Sequence, residues 1–185
     1  MNNLNVLGLT KFYADKPALN GITFSACDGD FIGLLGANGA GKSTLIKCLS
    51  GVLMPSGGDV FFNQNSIVSS RNYCQFKVGY LPESPSGFED LTVNELISFS
   101  ATSHGLRGEK KKQSVVTVLE DLQLKSISGL RLADLSKGLR QRAWLAQALV
   151  HNPEILFLDE PTDGLDHIPV SYTHLRAHET KEYLL

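Results

Sequence analysis

One short run places Gly36, Ala37, Asn38, Gly39, Ala40, Gly41, Lys42, Ser43 and Thr44 in succession. It has a glycine, four intervening positions, a second glycine, a lysine and a hydroxyl. That spacing suits a phosphate chain. Glycines let the backbone curl until successive N–H groups point inward. A helix starting at the loop adds its positive N-terminal end to the same anion. Lys42 offers a mobile charge for the β and γ phosphates, and Ser43 a hydroxyl ligand for Mg²⁺. A glycine-rich turn that binds nothing is the bland alternative. The flanking sequence argues against it, because a buried-strand pattern precedes the run and a helical pattern follows.

A second constellation lies far along the chain, where "ILFLDE" (155–160) ends in Asp159 and Glu160. Acids at the C-terminal edge of a parallel strand stand where open α/β sheets place their ligand sites. Asp159 is the candidate for a Mg²⁺ shell. Glu160 is adjacent but projects to the other side of the strand, and is the candidate to polarise an attacking water. Alone the acidic pair is a weak signal; with the phosphate run it is a strong one.

The elements that must position these residues follow from periodicity. "LNVLGL", "GITFSA", "FIGLLG" and "GDVFFN" read as strands punctuated by Gly, Asp or Asn. The unbroken apolar run 31–36 predicts a strand buried on both faces. After the loop, Leu45, Ile46 and Leu49 share one helical face, with Gly51 as C-cap. Thr92 with Glu95 three residues later predicts a capping box. Helices are expected around 113–122 and 138–151, and a strand at 154–160. The fold class is α/β with a helical insert. The division predicted is 1–90 nucleotide-binding core, 91–150 helical subdomain, 151–167 acidic strand returning to the core, and 168–185 a foreign tail.

Composition narrows the class. The 185 residues carry 17 Lys and Arg against 19 Asp and Glu, net charge −2, so no basic surplus points to nucleic acid. "GEKKKQ" (108–113) reads as a solvated helix start. Cys27, Cys48 and Cys74 have no metal spacing and fit a reduced interior. No stretch approaches the roughly 18 apolar residues of a membrane span.

"LSKGLRQR" (135–142), between loop and acids, resembles the signature motif of ABC-type ATPases. "TKFY", "GANGAGKST", "GYLPE", "LSKGLRQR", "ILFLDE" and "PTDGLD" follow one another as in an ABC transporter ATP-binding subunit, over about residues 4–167. The resemblance implies a P-loop NTPase core sheet with an antiparallel β subdomain and a helical signature subdomain, incomplete at the C-terminus. It implies that Tyr13 stacks on adenine, the alternative being a strand-end core tyrosine. It implies that Ser136, Lys137, Gly138 and Leu139 meet ATP held by the opposite subunit, and that Asp166 lies at the dimer interface. Glu83 stands where glutamine is usual. It remains a possible Mg²⁺ or water ligand, and resembles exporter-like branches. Ala37 replaces a proline at a position that offers mainly backbone.

The resemblance further implies ATP hydrolysis with Mg²⁺ and a dimer of ATP-binding subunits. It implies a separate membrane permease and a cytoplasmic place against the inner face of the membrane. Residues 84–96 are the candidate docking surface, with Phe88 and Leu91 as apolar contacts or as a helix-capping staple. The alternatives are a soluble non-transport ABC ATPase and a nucleotide-binding module without turnover.

The tail resists this pattern. His174 imitates the family's switch histidine, yet lies only fourteen positions after Glu160, too few for a crossover and a further strand. Pro169 interrupts the expected helix. His167, His174 and His178 crowd the last nineteen residues, and "SYTHLRAHET" resembles a translated sequencing adaptor. Residues from about 168 are therefore expected to be foreign, and turnover by the chain to be weak.

Overall fold

The computed structural model describes residues 3–70, 76–160 and 180–184. They fall into two compact units, the first holding residues 3–70 and 180–184, the second 76–160.

The first unit carries an antiparallel sheet in the order β2-β1-β4-β5. Its strands are β1 (Asn3–Tyr13), β2 (Lys16–Cys27), β4 (Gly57–Phe62) and β5 (Asn65–Ser66). Alternation explains its core: Leu4 and Val6 point inward, a register shift follows, and Leu9 still lands inside. Without that bulge Leu9 would fall on the opposite face. The strand β3 (Phe31–Leu35) leads into the helix α1 (Lys42–Leu49). Leu45, Ile46 and Leu49 are all buried, as their spacing requires. Gly51 follows the helix at φ 75, the left-handed exit expected of it.

The expectation that β3 is buried on both faces is corrected. Phe31 is 61% and Leu35 47% exposed, and the residues between them are half-buried. Among the described residues β3 has one hydrogen-bonded neighbour, the parallel strand β8 (Thr180–Leu184), in register from Phe31↔Thr180 to Leu35↔Leu184. Burial of both faces needs layers packed above and below a strand, and an apolar run does not by itself supply them. The partner comes from the segment that the sequence reading treats as foreign. Asp166, Pro169 and His174 lie outside the described residues.

The second unit contains β6 (Val78–Leu81), α2 (Val93–Ser103), α3 (Gly108–Asp121), α4 (Lys137–Leu149) and β7 (Ile155–Leu158). Val93, Leu96, Ile97 and Ala101 line one face of α2, and Val115, Val118 and Leu119 one face of α3. All pack into a single core with Leu81, Leu132 and Leu145. Each fully buried leucine or isoleucine contributes roughly 1.5–3 kcal/mol. The capping box forms in both directions: the Glu95 N–H donates to Thr92 Oγ1 at 3.2 Å, and the Thr92 N–H to Glu95 Oε2 at 2.8 Å. The Thr92 N–H first, and the Thr92 hydroxyl donating to Glu95 Oε2 at 2.8 Å second, hold the Glu95 carboxyl below its usual range. The lysine run at 110–112 sits on the exposed first turns of α3, as a solvated helix start should.

Two histidines join these elements. His104, capping α2, stacks on His151, beyond α4, with ring centroids 3.7 Å apart and planes 9° from parallel. His151 Nε2 donates to the Val78 carbonyl at 3.0 Å, tying the end of α4 to β6. Burial first, and the neighbouring His104 second, push His151 down to about 4. The unfolded chain therefore takes up this proton first, near pH 6.5. The contribution of neutral His151 is whole above that pH and is lost as pH falls toward 4. Urea midpoints measured from pH 7.5 to 4 are expected to fall across this window, by no more than about 3 kcal/mol in stability since the ring is partly solvated. His151→Gln should flatten that limb of the curve, and an unchanged slope would contradict the assignment.

Candidate functional site

The phosphate-type loop takes its shape from two glycines. Gly39 has φ 84 and Gly41 φ 95, and the Ala40 N–H closes a turn onto the Ala37 carbonyl at 3.1 Å. Gly41 is the N-cap of α1 and brings no capping side chain, so the helix start is dressed only by backbone. Its place is tight as well as left-handed. A Cβ there would stand 2.4 Å from the Ala18 carbonyl oxygen. Lys42 turns back over the loop, and its Nζ donates to the carbonyls of Gly36 at 2.8 Å and Ala37 at 3.0 Å. The loop from Gly36 to Gly39 is exposed, while Ala40, Ser43 and Thr44 are half-buried. An anion has access, and a cation is already positioned beside the turn.

Tyr13 lies in the same unit, at the end of β1. Its ring is 51% exposed, and Lys11 Nζ sits 5.6 Å from the centroid. The core-tyrosine alternative therefore falls away; the ring offers an open surface.

The acidic edge belongs to the second unit. β6 and β7 are parallel, in register from Val78↔Ile155 to Leu81↔Leu158. Both strands therefore release their chains at the same end. Glu83 leaves β6 there, and Asp159 and Glu160 leave β7. The Asp159 N–H continues the ladder to the Leu81 carbonyl at 2.9 Å. Asp159 is 2% exposed, whereas Glu160 and Glu83 face solvent. Glu160 holds φ 51, a left-handed conformation uncommon for a residue with a side chain.

Sequence reasoning overlooked Tyr80 at this edge. Its hydroxyl is pushed up to about 12, mainly by burial and then by the negative charges of Asp159 and Glu83. The available signal was period two along "GYLPE", but it needed the register with β7 to become informative.

The oxygen donors fit Mg²⁺. That ion takes one or two carboxylates and completes its shell with phosphate oxygens and water. Asp159 and Glu83 supply hard carboxylates at one strand edge, and among the described residues no group of three His, Cys, Asp or Glu side chains forms an all-protein cage.

Ser136 caps α4, and its Oγ accepts the Leu139 N–H at 3.4 Å. Leu135 is buried in the helical core and anchors the loop, while Arg140 Nη2 donates to the Leu135 carbonyl at 3.1 Å. Ser136 and Lys137 are exposed; Gly138 and Leu139 are half-buried. The start of α4 thus faces outward. Of the candidate docking residues, Phe88 packs 5.8 Å from Phe99 and 5.9 Å from Trp144 between ring centroids, so its ring is held within its own unit. Asp166 lies outside the described residues.

A family model described as ABC transporter matches residues 19–163, well over half of the chain. The chain belongs to the ABC transporter family. Members of this family are in general Mg²⁺-using ATPases whose ATP-binding subunits dimerise and pair with membrane permeases. The chain is 37% identical over 158 residues to a probable multidrug ABC transporter ATP-binding protein, YbhF, of Escherichia coli, covering 85% of the chain and 27% of that protein. It is 32% identical over 163 residues to Nod factor export ATP-binding protein I of a Rhizobium species, covering 88% and 54%. The chain thus spans between about a quarter and a half of these relatives. Among solved structures, the ATP binding subunit of an ABC transporter matches with TM-score 0.83 and 27% identity, over 98% of the chain and 78% of that structure. A nucleotide-free ATP-binding cassette matches with TM-score 0.79 at 23% identity, and supports the fold alone. The ABC ATPase fold expected from the motifs is the fold observed. No helix among the described residues is long and apolar enough to cross a membrane.

Proposed function

We propose that the chain is the ATP-binding subunit of an exporter-type ABC transporter, hydrolysing ATP to drive a separate membrane subunit. The observation that carries the reading is the phosphate loop. A glycine that tolerates no Cβ caps α1 without a side chain, and a lysine is held against the loop. In this reading Lys42 and the amides of Gly36, Ala37, Asn38, Gly39, Ala40, Gly41, Ser43 and Thr44 bind the phosphates, while Tyr13 stacks on adenine. Ser43 and Asp159, with Glu83 as a further ligand, hold Mg²⁺, which when bound neutralises charge on the phosphate oxygens. Glu160 orients the attacking water and takes its proton.

Two copies complete the assembly. Ser136, Lys137, Gly138 and Leu139 of one copy meet ATP held by the other, and Asp166 lies between them. The outward-facing start of α4 supports this role, because its positive end needs an anion from outside the subunit. The permease selects the cargo, and the chain works on the cytoplasmic side. Two relatives, one a probable multidrug transporter protein and one a Nod factor export protein, favour export.

The test is ATP binding and turnover by the purified chain, with Lys42→Ala beside it. Loss of the lysine removes charge-assisted bonds worth about 1.5–3 kcal/mol, so ATP affinity should fall about 10- to 100-fold. Equal affinity in both proteins would remove the loop from the site. Binding without any turnover would leave the alternative reading, a nucleotide-binding module.

A further inference from the structure

Among the described residues Tyr80 brings a buried hydroxyl to the acidic edge, and the proposed reaction makes no use of it. Its direction follows from the strand register. Leu81 and Leu158 pair and pack on the helical core, so their face of the β6–β7 ladder is covered by helices. Tyr80 pairs with Phe157 on the other face, and Asp159, two residues beyond Phe157, shares that face. A tyrosine one residue short of the strand end is long enough to reach diagonally toward the neighbouring terminus.

The hydroxyl at that position is shielded from solvent and has no hydrogen-bond partner among the described residues. A buried donor left in this state is disfavoured by about 1–3 kcal/mol. Phenylalanine would fill the same volume without the penalty. The negative charges that act on the hydroxyl are those of Asp159 and Glu83, and an ionised carboxylate accepts but cannot donate. Donor and acceptor are therefore matched, and only Asp159 is both buried and on the same face.

We propose that Tyr80 is a positioning residue for the metal-binding carboxylate: with MgATP in place its hydroxyl donates to Asp159 and holds that side chain in its ligating orientation. This inference rests on the ATPase reading above. Partners of this kind fix the rotamer of a ligand, and their loss typically lowers metal affinity 10- to 100-fold.

Tyr80→Phe in the full chain tests it through metal dependence. Binding of ATP in EDTA should match the unmutated protein, while the Mg²⁺ concentration that half-restores tight nucleotide binding should rise about tenfold. The melting temperature without ligand should stay level or rise, because the variant discards an unsatisfied hydroxyl. An unchanged Mg²⁺ requirement would overturn the proposal while leaving the ATPase reading intact. So would a fall in metal-free binding together with a lower melting temperature, which would mark Tyr80 as structural. If the unmutated chain bound no ATP under either condition, the ATPase reading itself would fail and the proposal with it.

Discussion

Glu160→Gln is expected to lower ATP turnover by at least about a hundredfold while nucleotide binding persists, since a positioned general base contributes roughly 10²- to 10⁴-fold. The structure separates the two acids at the end of β7. Asp159 is buried and tied into the ladder through its backbone; Glu160 is exposed. A buried carboxylate suits a metal, and an exposed one can meet water. Glutamine keeps the shape and a hydrogen-bonding oxygen but cannot accept the proton. ATP should therefore stay bound, and with it the dimer proposed above. Single-turnover assays with labelled ATP, run beside size-exclusion chromatography, give both readouts. Unchanged hydrolysis would remove Glu160 from the base role. Loss of binding equal to the loss of turnover would mean that the side chain holds ligand instead of activating water.

Features carried by a few neighbouring residues were legible in the sequence. The capping box at Thr92 and Glu95 needs two side chains one turn apart, and it forms in both directions. The buried face of α1 needs only a period of 3.6, and Leu45, Ile46 and Leu49 obey it. Properties that depend on distant partners were not legible. Whether Phe31–Leu35 is covered depends on what packs on its two faces, and an apolar run says nothing of that. Tyr80 became visible only when β6 and β7, some seventy residues apart, were set in register. The His104–His151 stack needed the ends of two helices to be brought together. The turn of the candidate phosphate loop was legible because Gly39 and Gly41 answer to local backbone geometry, whereas the companions of Asp159 are set by the sheet.

Gly41→Ala is expected to abolish measurable ATP binding and to destabilise the chain more than the same change at Gly39. Both glycines are left-handed, so alanine at either incurs a backbone penalty of about 1–2 kcal/mol. They differ in what surrounds them. A Cβ at Gly39 meets nothing within 4 Å, while one at Gly41 would stand 2.4 Å from the Ala18 carbonyl oxygen and 3.2 Å from Leu19 Cδ2. The oxygen belongs to the backbone of β2, at the one residue the β1 register skips between Pro17 and Leu19, and not to a side chain free to swing away. Relief must therefore come from the loop, and moving the N-cap of α1 re-aims the N–H groups proposed to bind the phosphates. Displacements near 1 Å in a preorganised site are enough to lose about a hundredfold. Urea unfolding should place Gly39→Ala within about 2 kcal/mol of the unmutated chain, and Gly41→Ala clearly beyond it. Equal stability and equal ATP affinity in the two variants would mean that β2 yields to the methyl group, and that the close approach at Ala18 has no part in shaping the loop.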